Sequence, residues 1–190
     1  MTALTVPEHR RRLGLKGPRA AQWLAQNGIT PPALPNTWAN PDGAAAAEPL
    51  LVARLGATEF FLEDGPAGTT LERISPFLAE NPPGVYPVMR EDSAFVLSGE
   101  RVHEVLAQVC NVNFAALSLD SRPVIMTLMI GVAVLIVPHG EKQNSGEAAG
   151  SERSGRHYRV WCDPTFGPYM GECLGAVVTE CGGIYTGVSG

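Results

Sequence analysis

The chain has 190 residues, 45% of them hydrophobic and 17% charged, with a formal net charge of −5. That length holds one ordinary domain or two small repeated halves sharing a core. The acidic balance excludes a nucleic-acid footprint, which needs clustered Lys and Arg. Arg10, Arg11 and Arg12 form the only basic run.

In chain order, Arg11 to Lys16 is expected as a strand and Pro18 to Gln26 as a helix with Pro in its first turn. Thr30 to Pro49 carries five prolines and the run Ala44 to Ala47, so no regular structure is expected there. Leu50 to Leu55 and Thr58 to Glu63 form a hairpin around Gly56 and Ala57. After the polar stretch Asp64 to Thr70, a helix runs from Thr69 to Glu80, with Thr69 or Thr70 able to cap it and Pro76 weakening its second half. Tyr86 to Arg90 and Ala94 to Leu97 read as a second hairpin turning at Glu91, Asp92 and Ser93. Glu100 to Cys110 is the next helix.

The most apolar stretch, Val124 to Val137, is shorter than the ~20 residues a membrane helix needs. It is β-branched and split by Gly131, so it reads as a buried hairpin of Val124 to Ile130 and Val132 to Val137. Residues 140–156 contain no apolar side chain larger than Ala and are expected to be a flexible loop. His157 to Cys162 is a strand, and Asp163 before Pro164 starts a last helix reaching about Val178. Gly167, Gly171 and Gly175 give that helix a small-residue face.

An internal repeat organises these elements. Gly17, Arg19, Leu24, Ala25 and Gln26 recur as Gly99, Arg101, Leu106, Ala107 and Gln108, each pair 82 positions apart. Each copy is a strand, a glycine turn and a helix. The expected fold is α+β, with a mainly antiparallel sheet, packed helices and two strand–helix pseudo-repeats. Residues 1–190 form a single domain in this reading, with repeats at 10–83 and 84–178.

Motifs that carry chemistry are scarce. Gly14-Leu15-Lys16-Gly17 lacks the dinucleotide fingerprint, and there is no phosphate loop. Gly187-Val188-Ser189-Gly190 has the spacing of a nucleophile elbow without a helix after it. Cys110 and His103 are two helical turns apart, too far for a nucleophile pair, and read as a core thiol and a surface imidazole. Glu59, Glu63, Asp64, Glu91 and Asp92 sit near hairpin ends, where acids are usually solvated. Cys110, Cys162, Cys173 and Cys181 lack zinc-ligand spacing and are expected to be reduced, mostly buried thiols. Trp23 is expected in the core. Trp38, in the proline-rich arm, is either buried or an interface anchor, and Tyr169 poses the same choice. No basic stretch is followed by an apolar one near the N-terminus, so no secretory signal is expected and the location expected is cytoplasmic.

Several segments together resemble the gamma subunit family of heterotetrameric sarcosine oxidase. They are Arg12-Leu13-Gly14-Leu15-Lys16-Gly17-Pro18 leading to Trp23-Leu24, Asn36-Thr37-Trp38, Ala53-Arg54-Leu55-Gly56-Ala57-Thr58-Glu59-Phe60, and Leu97-Ser98-Gly99 through Val105-Leu106 to Cys110. The apolar hairpin with Thr127 and the segment Phe166 to Tyr169 also fit. Asn113 stands where the family pattern has an acid after Cys110. Together with Trp161-Cys162-Asp163-Pro164-Thr165-Phe166-Gly167, that departure points to the equivalent small subunit of N-methylglutamate dehydrogenase.

The resemblance implies a fold similar to the glycine-cleavage T-protein. It also implies an accessory subunit of a flavin-dependent N-methyl amino acid oxidoreductase, docked on the alpha subunit beside beta and delta. FAD, FMN, NAD and tetrahydrofolate are then expected on partner subunits. No catalytic, cofactor-binding or metal-ligating residue is expected on this chain, and neither nucleic acid nor membrane as a partner. The alternative is a tetrahydrofolate-binding, aminomethyltransferase-like domain, with Asp92, Tyr86 and Trp38 as its weak pocket candidates.

Overall fold

The computed structural model describes residues 1–41, 49–139 and 156–187. Among these, the strands are β1 (Ala3–Thr5), β2 (Arg12–Lys16), β3 (Thr37–Ala39), β4 (Leu51–Arg54), β5 (Glu59–Glu63), β6 (Tyr86–Val88), β7 (Ser93–Ser98), β8 (Ile125–Met129), β9 (Val132–His139), β10 (His157–Cys162) and β11 (Ile184–Thr186). The helices are α1 (Ala20–Gln26), α2 (Thr70–Ala79), α3 (Val102–Val109) and α4 (Gly167–Glu180). The fold is α+β and every strand pair but one is antiparallel, as expected. Residues 140–155, most of the expected loop, and 42–48, with the alanine run, lie outside the described residues.

The contacts divide the chain into two units. One comprises Glu8–Glu91 with Ser121–Val124, and its sheet has the order β3-β4-β5-β2-β6. Alternation in β2, β4 and β5 sends Leu15, Val52, Phe60 and Leu62 to the face on which Trp23 and Leu24 of α1 and Leu71, Ile74 and Leu78 of α2 pack. Pro76 lies on the exposed side of α2, and the helix runs past it to Ala79.

The other unit comprises Met1–Pro7, Asp92–Asp120 and the chain from Ile125 onward, with sheet order β11-β1-β7-β10-β9-β8. Leu97, Val134, Ile136, Tyr158 and Val160 face α3 and α4, which contribute Val105, Leu106, Met170 and Leu174. Ile130 and Gly131 both have positive φ, 52° and 80°, the signature of the tight turn whose twist suits a two-residue hairpin between β8 and β9. Asp163 accepts hydrogen bonds from the Thr165 amide at 2.9 Å and its hydroxyl at 2.5 Å, capping the 3-10 turn that leads into α4.

The two sheets are wired alike. In each, a strand (β2 or β7) reaches a positive-φ glycine, Gly17 at 126° or Gly99 at 109°, and then a helix opening at Arg19 or Arg101. Three consecutive antiparallel strands then follow, β3–β4–β5 in one unit and β8–β9–β10 in the other, the third pairing back onto β2 or β7.

Two expectations are corrected. Tyr86–Arg90 and Ala94–Leu97 do not pair: β6 joins β2 in one sheet and β7 lies between β1 and β10 in the other. The proline-rich arm does hold a strand, β3, stabilised by Trp38 N donating to Arg122 O at 2.9 Å and Val124 N donating to Asn36 O at 2.8 Å. Ala3–Thr5 and Ile184–Thr186 are strands that the sequence pattern did not signal.

Candidate functional site

The carboxylates near hairpin ends are engaged by structural partners. Glu59 pairs with Lys16 at 3.1 Å across β2 and β5, and Glu91 reaches His9 at 4.0 Å. Glu63 and Asp64, expected in solvent, are 1% and 2% exposed. Glu63 accepts from the Arg12 guanidinium at 2.5 Å, the two side chains facing each other in register across the ladder. Asp64 accepts from the Leu71 amide at 3.1 Å, so it satisfies an early donor of α2, where Thr69 makes no side-chain cap.

Beside Asp64 lies an open cleft of about 380 Å³ between His9, Arg10 and Arg11 on one side and Gly65–Thr69 with Glu72 on the other. The Arg11–Glu72 ion pair at 2.9 Å belongs to both walls. Cation and anion are thus already matched there. The cleft has the charge balance of a solvated seam.

Histidines make a second cluster, in the unit that holds β10. His103 Nε2 lies 2.7 Å from the Tyr158 hydroxyl, with Phe114 edge-on to the Tyr158 ring at 5.4 Å. Burial, then the charge of Arg156, lowers the His103 pKa, and burial raises that of Tyr158. Cys110 is buried and its backbone bridges to Met129, so His103 and Cys110 serve different contacts. All four cysteines are free; Cys173 is half-buried, the others are buried, and burial pushes the Cys162 thiol up to about 11. Among the described residues, no three His, Cys, Asp or Glu side chains converge closely enough to hold a metal ion. No helix among them is long and apolar enough to cross a membrane.

His139 and His157 stack with ring centroids 4.6 Å apart, opposite each other in the β9–β10 ladder. Burial, then the His157 charge, brings His139 down to about 3. The unfolded imidazole takes its proton near 6.5, so the unfolded chain binds more protons between these values. Stability is full above the unfolded value and falls as pH drops toward the folded one. Equilibrium urea unfolding is expected to lose ~2 kcal/mol between about pH 7.5 and about pH 5. His139→Asn should remove most of that loss, with His103 supplying part of the remainder. An unchanged loss in His139→Asn would show that this ring is not the group responsible.

Of the three tryptophans, Trp23 and Trp161 are buried, at 7% and 1% exposure. Trp38 is buried too, at 9%, with the Arg122 guanidinium 5.5 Å above its ring, so it is a packing residue of β3 and not an exposed anchor. Trp38 and Tyr86 lie on opposite edge strands of one five-stranded sheet, while Asp92 belongs to the other unit. Tyr169 stays 45% exposed, its hydroxyl donating to Ile130 O at 3.3 Å. Large apolar side chains are exposed at three sheet edges: Tyr86 on β6 with Met89 just beyond it, Met126 and Leu128 on β8, and Ile184 and Tyr185 on β11.

Spacing along the chain could not reveal the Arg12–Glu63, His103–Tyr158 and His139–His157 contacts, which depend on strand register. Ser189 and Gly190 of the elbow-like motif lie outside the described residues.

No family model matches the chain, and no curated protein does. Solved structures do. The glycine cleavage system aminomethyltransferase T from Bartonella henselae superimposes on 97% of this chain with a TM-score of 0.67 and 13% identity. This chain spans only 47%, about half, of that protein. A chain of heterotetrameric sarcosine oxidase from Corynebacterium sp. U-96, solved in complex with pyrrole 2-carboxylate, has a TM-score of 0.69 and 20% identity. That match covers 94% of this chain and 84% of the other. The fold is T-protein-like.

Proposed function

We propose that this chain is an accessory subunit, without catalytic residues of its own, of a heteromeric flavin-dependent N-methyl amino acid oxidoreductase. The complex is of the sarcosine oxidase or N-methylglutamate dehydrogenase type and works in the cytoplasm. FAD, FMN, NAD and tetrahydrofolate sit on its alpha, beta and delta partners. The supporting observation is the near end-to-end match, in both directions, to one chain of a heterotetramer. The aminomethyltransferase superimposes on 97% of this chain, so the T-protein-like fold is common to both readings and the heterotetramer match is what favours the subunit.

Two features of the chain agree with this reading. Its low charge content and the exposed apolar residues on β6 and β8 suit a surface that is covered in an assembly. Its buried and paired carboxylates cap a helix and close a ladder, which are structural tasks.

Tetrahydrofolate titrated calorimetrically into the isolated chain is expected to give no saturable heat. Trp38 and Tyr86, two of the three residues a folate pocket would recruit, lie on opposite edge strands of one five-stranded sheet. Saturable one-to-one binding would instead support the aminomethyltransferase-like alternative.

A further inference from the structure

The two sheets differ in one respect. After α2 the chain returns as β6 and pairs directly with β2, whereas after α4 it returns as β11 and stops one strand short of β7. The intervening place is filled by β1, antiparallel to β7 and parallel to β11, the one parallel pair among the described strands. The glycine at each strand–helix junction registers the same substitution. A Cβ on Gly17 would meet Gly84 O at 2.3 Å, from the segment leading into β6, and one on Gly99 would meet Met1 O at 2.2 Å.

The two walls around β1 are held by contacts that do not involve it. On one side, β7 is fixed by a six-residue ladder with β10. On the other, the Tyr185 ring of β11 lies on the bare glycine face of α4. A methyl on Gly171 would come 3.0 Å from its hydroxyl, and one on Gly175 would come 2.8 Å from its Cδ1. The Gly183 amide also donates to Val178 O at 2.8 Å, tying the entry of β11 to the end of α4. Each wall of the gap thus keeps contacts of its own beside those it makes with β1.

We propose that this gap is a strand-acceptor site. Its ligand is an extended peptide with a hydroxyl residue two positions before a leucine, bound without needing a covalent link to the rest of the chain. The chain's own first residues are the occupant in the structure. Thr2 and Leu4, 2% and 0% exposed, point into the unit. Thr2 Oγ1 accepts from the Arg101 amide at 3.2 Å and Thr2 O from the Ile184 amide at 3.0 Å. Leu4 joins the apolar cluster, and its carbonyl accepts from the Thr186 hydroxyl at 3.3 Å. Val6 N closes the ladder on Thr186 O at 3.3 Å. Main-chain pairing supplies affinity on both sides, and the Thr2 and Leu4 positions supply selectivity. Glu8 and His9, which follow, are exposed, so the connection can be cut without touching the site.

The test uses the full chain with a specific protease site inserted between Pro7 and Glu8, cut after folding. The cut protein is expected to keep its circular dichroism, retain peptide 1–7 in native mass spectrometry, and exchange it for a labelled synthetic copy. A Leu4→Asp peptide should compete about 100-fold more weakly and a Thr2→Val peptide about tenfold more weakly. Unfolding on cleavage, failure to take up labelled peptide, or equal competition by the Leu4→Asp peptide would each overturn the proposal. If the insertion itself prevents folding, hydrogen exchange on the unaltered chain decides. The Val6 and Ile184 amides should exchange together and ahead of the β7–β10 ladder, whereas exchange only with global unfolding would refute an independently leaving strand. None of these outcomes depends on the assembly reading above.

Discussion

Gly99→Ala is expected to destabilise the chain by about 4 kcal/mol, enough to unfold a marginally stable domain at body temperature. Two costs act together. At φ 109° an L-side chain has no comfortable conformation, and the new methyl would stand 2.2 Å from Met1 O and 2.6 Å from Thr2 Cα. Both obstacles are backbone atoms, which cannot rotate away as a side chain would. Gly17→Ala should behave alike, since φ is 126° and Gly84 O would lie 2.3 Å from its methyl. Gly28→Ala is the control: φ is 79°, yet nothing lies within 4 Å of the added carbon, so only the backbone penalty of ~1 kcal/mol remains. Urea midpoints of the three variants measure the difference. Equal losses in Gly99→Ala and Gly28→Ala would mean that the close strand crossing does not exist in solution.

Glu63→Ala is expected to cost a similar ~4 kcal/mol, by electrostatics instead of shape. The Arg12 and Glu63 side chains are 3% and 0% exposed, so removing the carboxylate strips a buried guanidinium of its counter-charge where water cannot replace it. The pair itself need not be a large net gain, because both charges were desolvated to form it. The double change Arg12→Met with Glu63→Leu should therefore return to within ~1 kcal/mol of the starting stability. The nearby Arg11–Glu72 pair is the solvent-exposed comparison, at 56% and 62%, and Glu72→Ala should change little. A loss in Glu63→Ala no greater than in Glu72→Ala would place Glu63 in water. A double variant as unstable as Glu63→Ala would show that the site depends on charge itself.

Much of this architecture was readable from local pattern. The hairpin around Gly56 and Ala57, the one turning at Ile130 and Gly131, and the strand His157–Cys162 carry alternation and turn residues within a few positions of each other. The Asp163-Pro164 start of the last helix is equally local, as its hydrogen bonds to Thr165 show. What failed was non-local. The polar cluster Glu91-Asp92-Ser93 has the composition of a hairpin turn, yet it is where the chain leaves one sheet and enters the other, and composition does not distinguish the two. Strands β1, β3 and β11 are three residues each, too short for alternation to register, and their neighbours fix them.

The site residues divide in the same way. Asp64, in Asp64-Gly65-Pro66, looks like a solvated turn acid, but the turn folds back to bring it under the first turn of α2. Trp38 seemed hard to bury because its own arm offers little apolar cover; residues 121–124, more than eighty positions later, complete its surroundings. His139 and His157 meet only because β9 and β10 pair in one register. The repeated Gly–Arg pattern at 82 positions was the exception among distant signals, since each copy does the same local work at a strand–helix junction.

The most direct measurement of the assembly reading is co-expression with the alpha, beta and delta chains proposed as its partners, followed by purification through a tag on this chain alone. The account predicts a single species in which this chain and its flavin-bearing partners stand in fixed whole-number proportion by native mass spectrometry, with sarcosine- or N-methylglutamate-oxidising activity in the same fraction. Recovery of this chain alone as a stable monomer, with the full activity left behind in the unbound fraction, would contradict it.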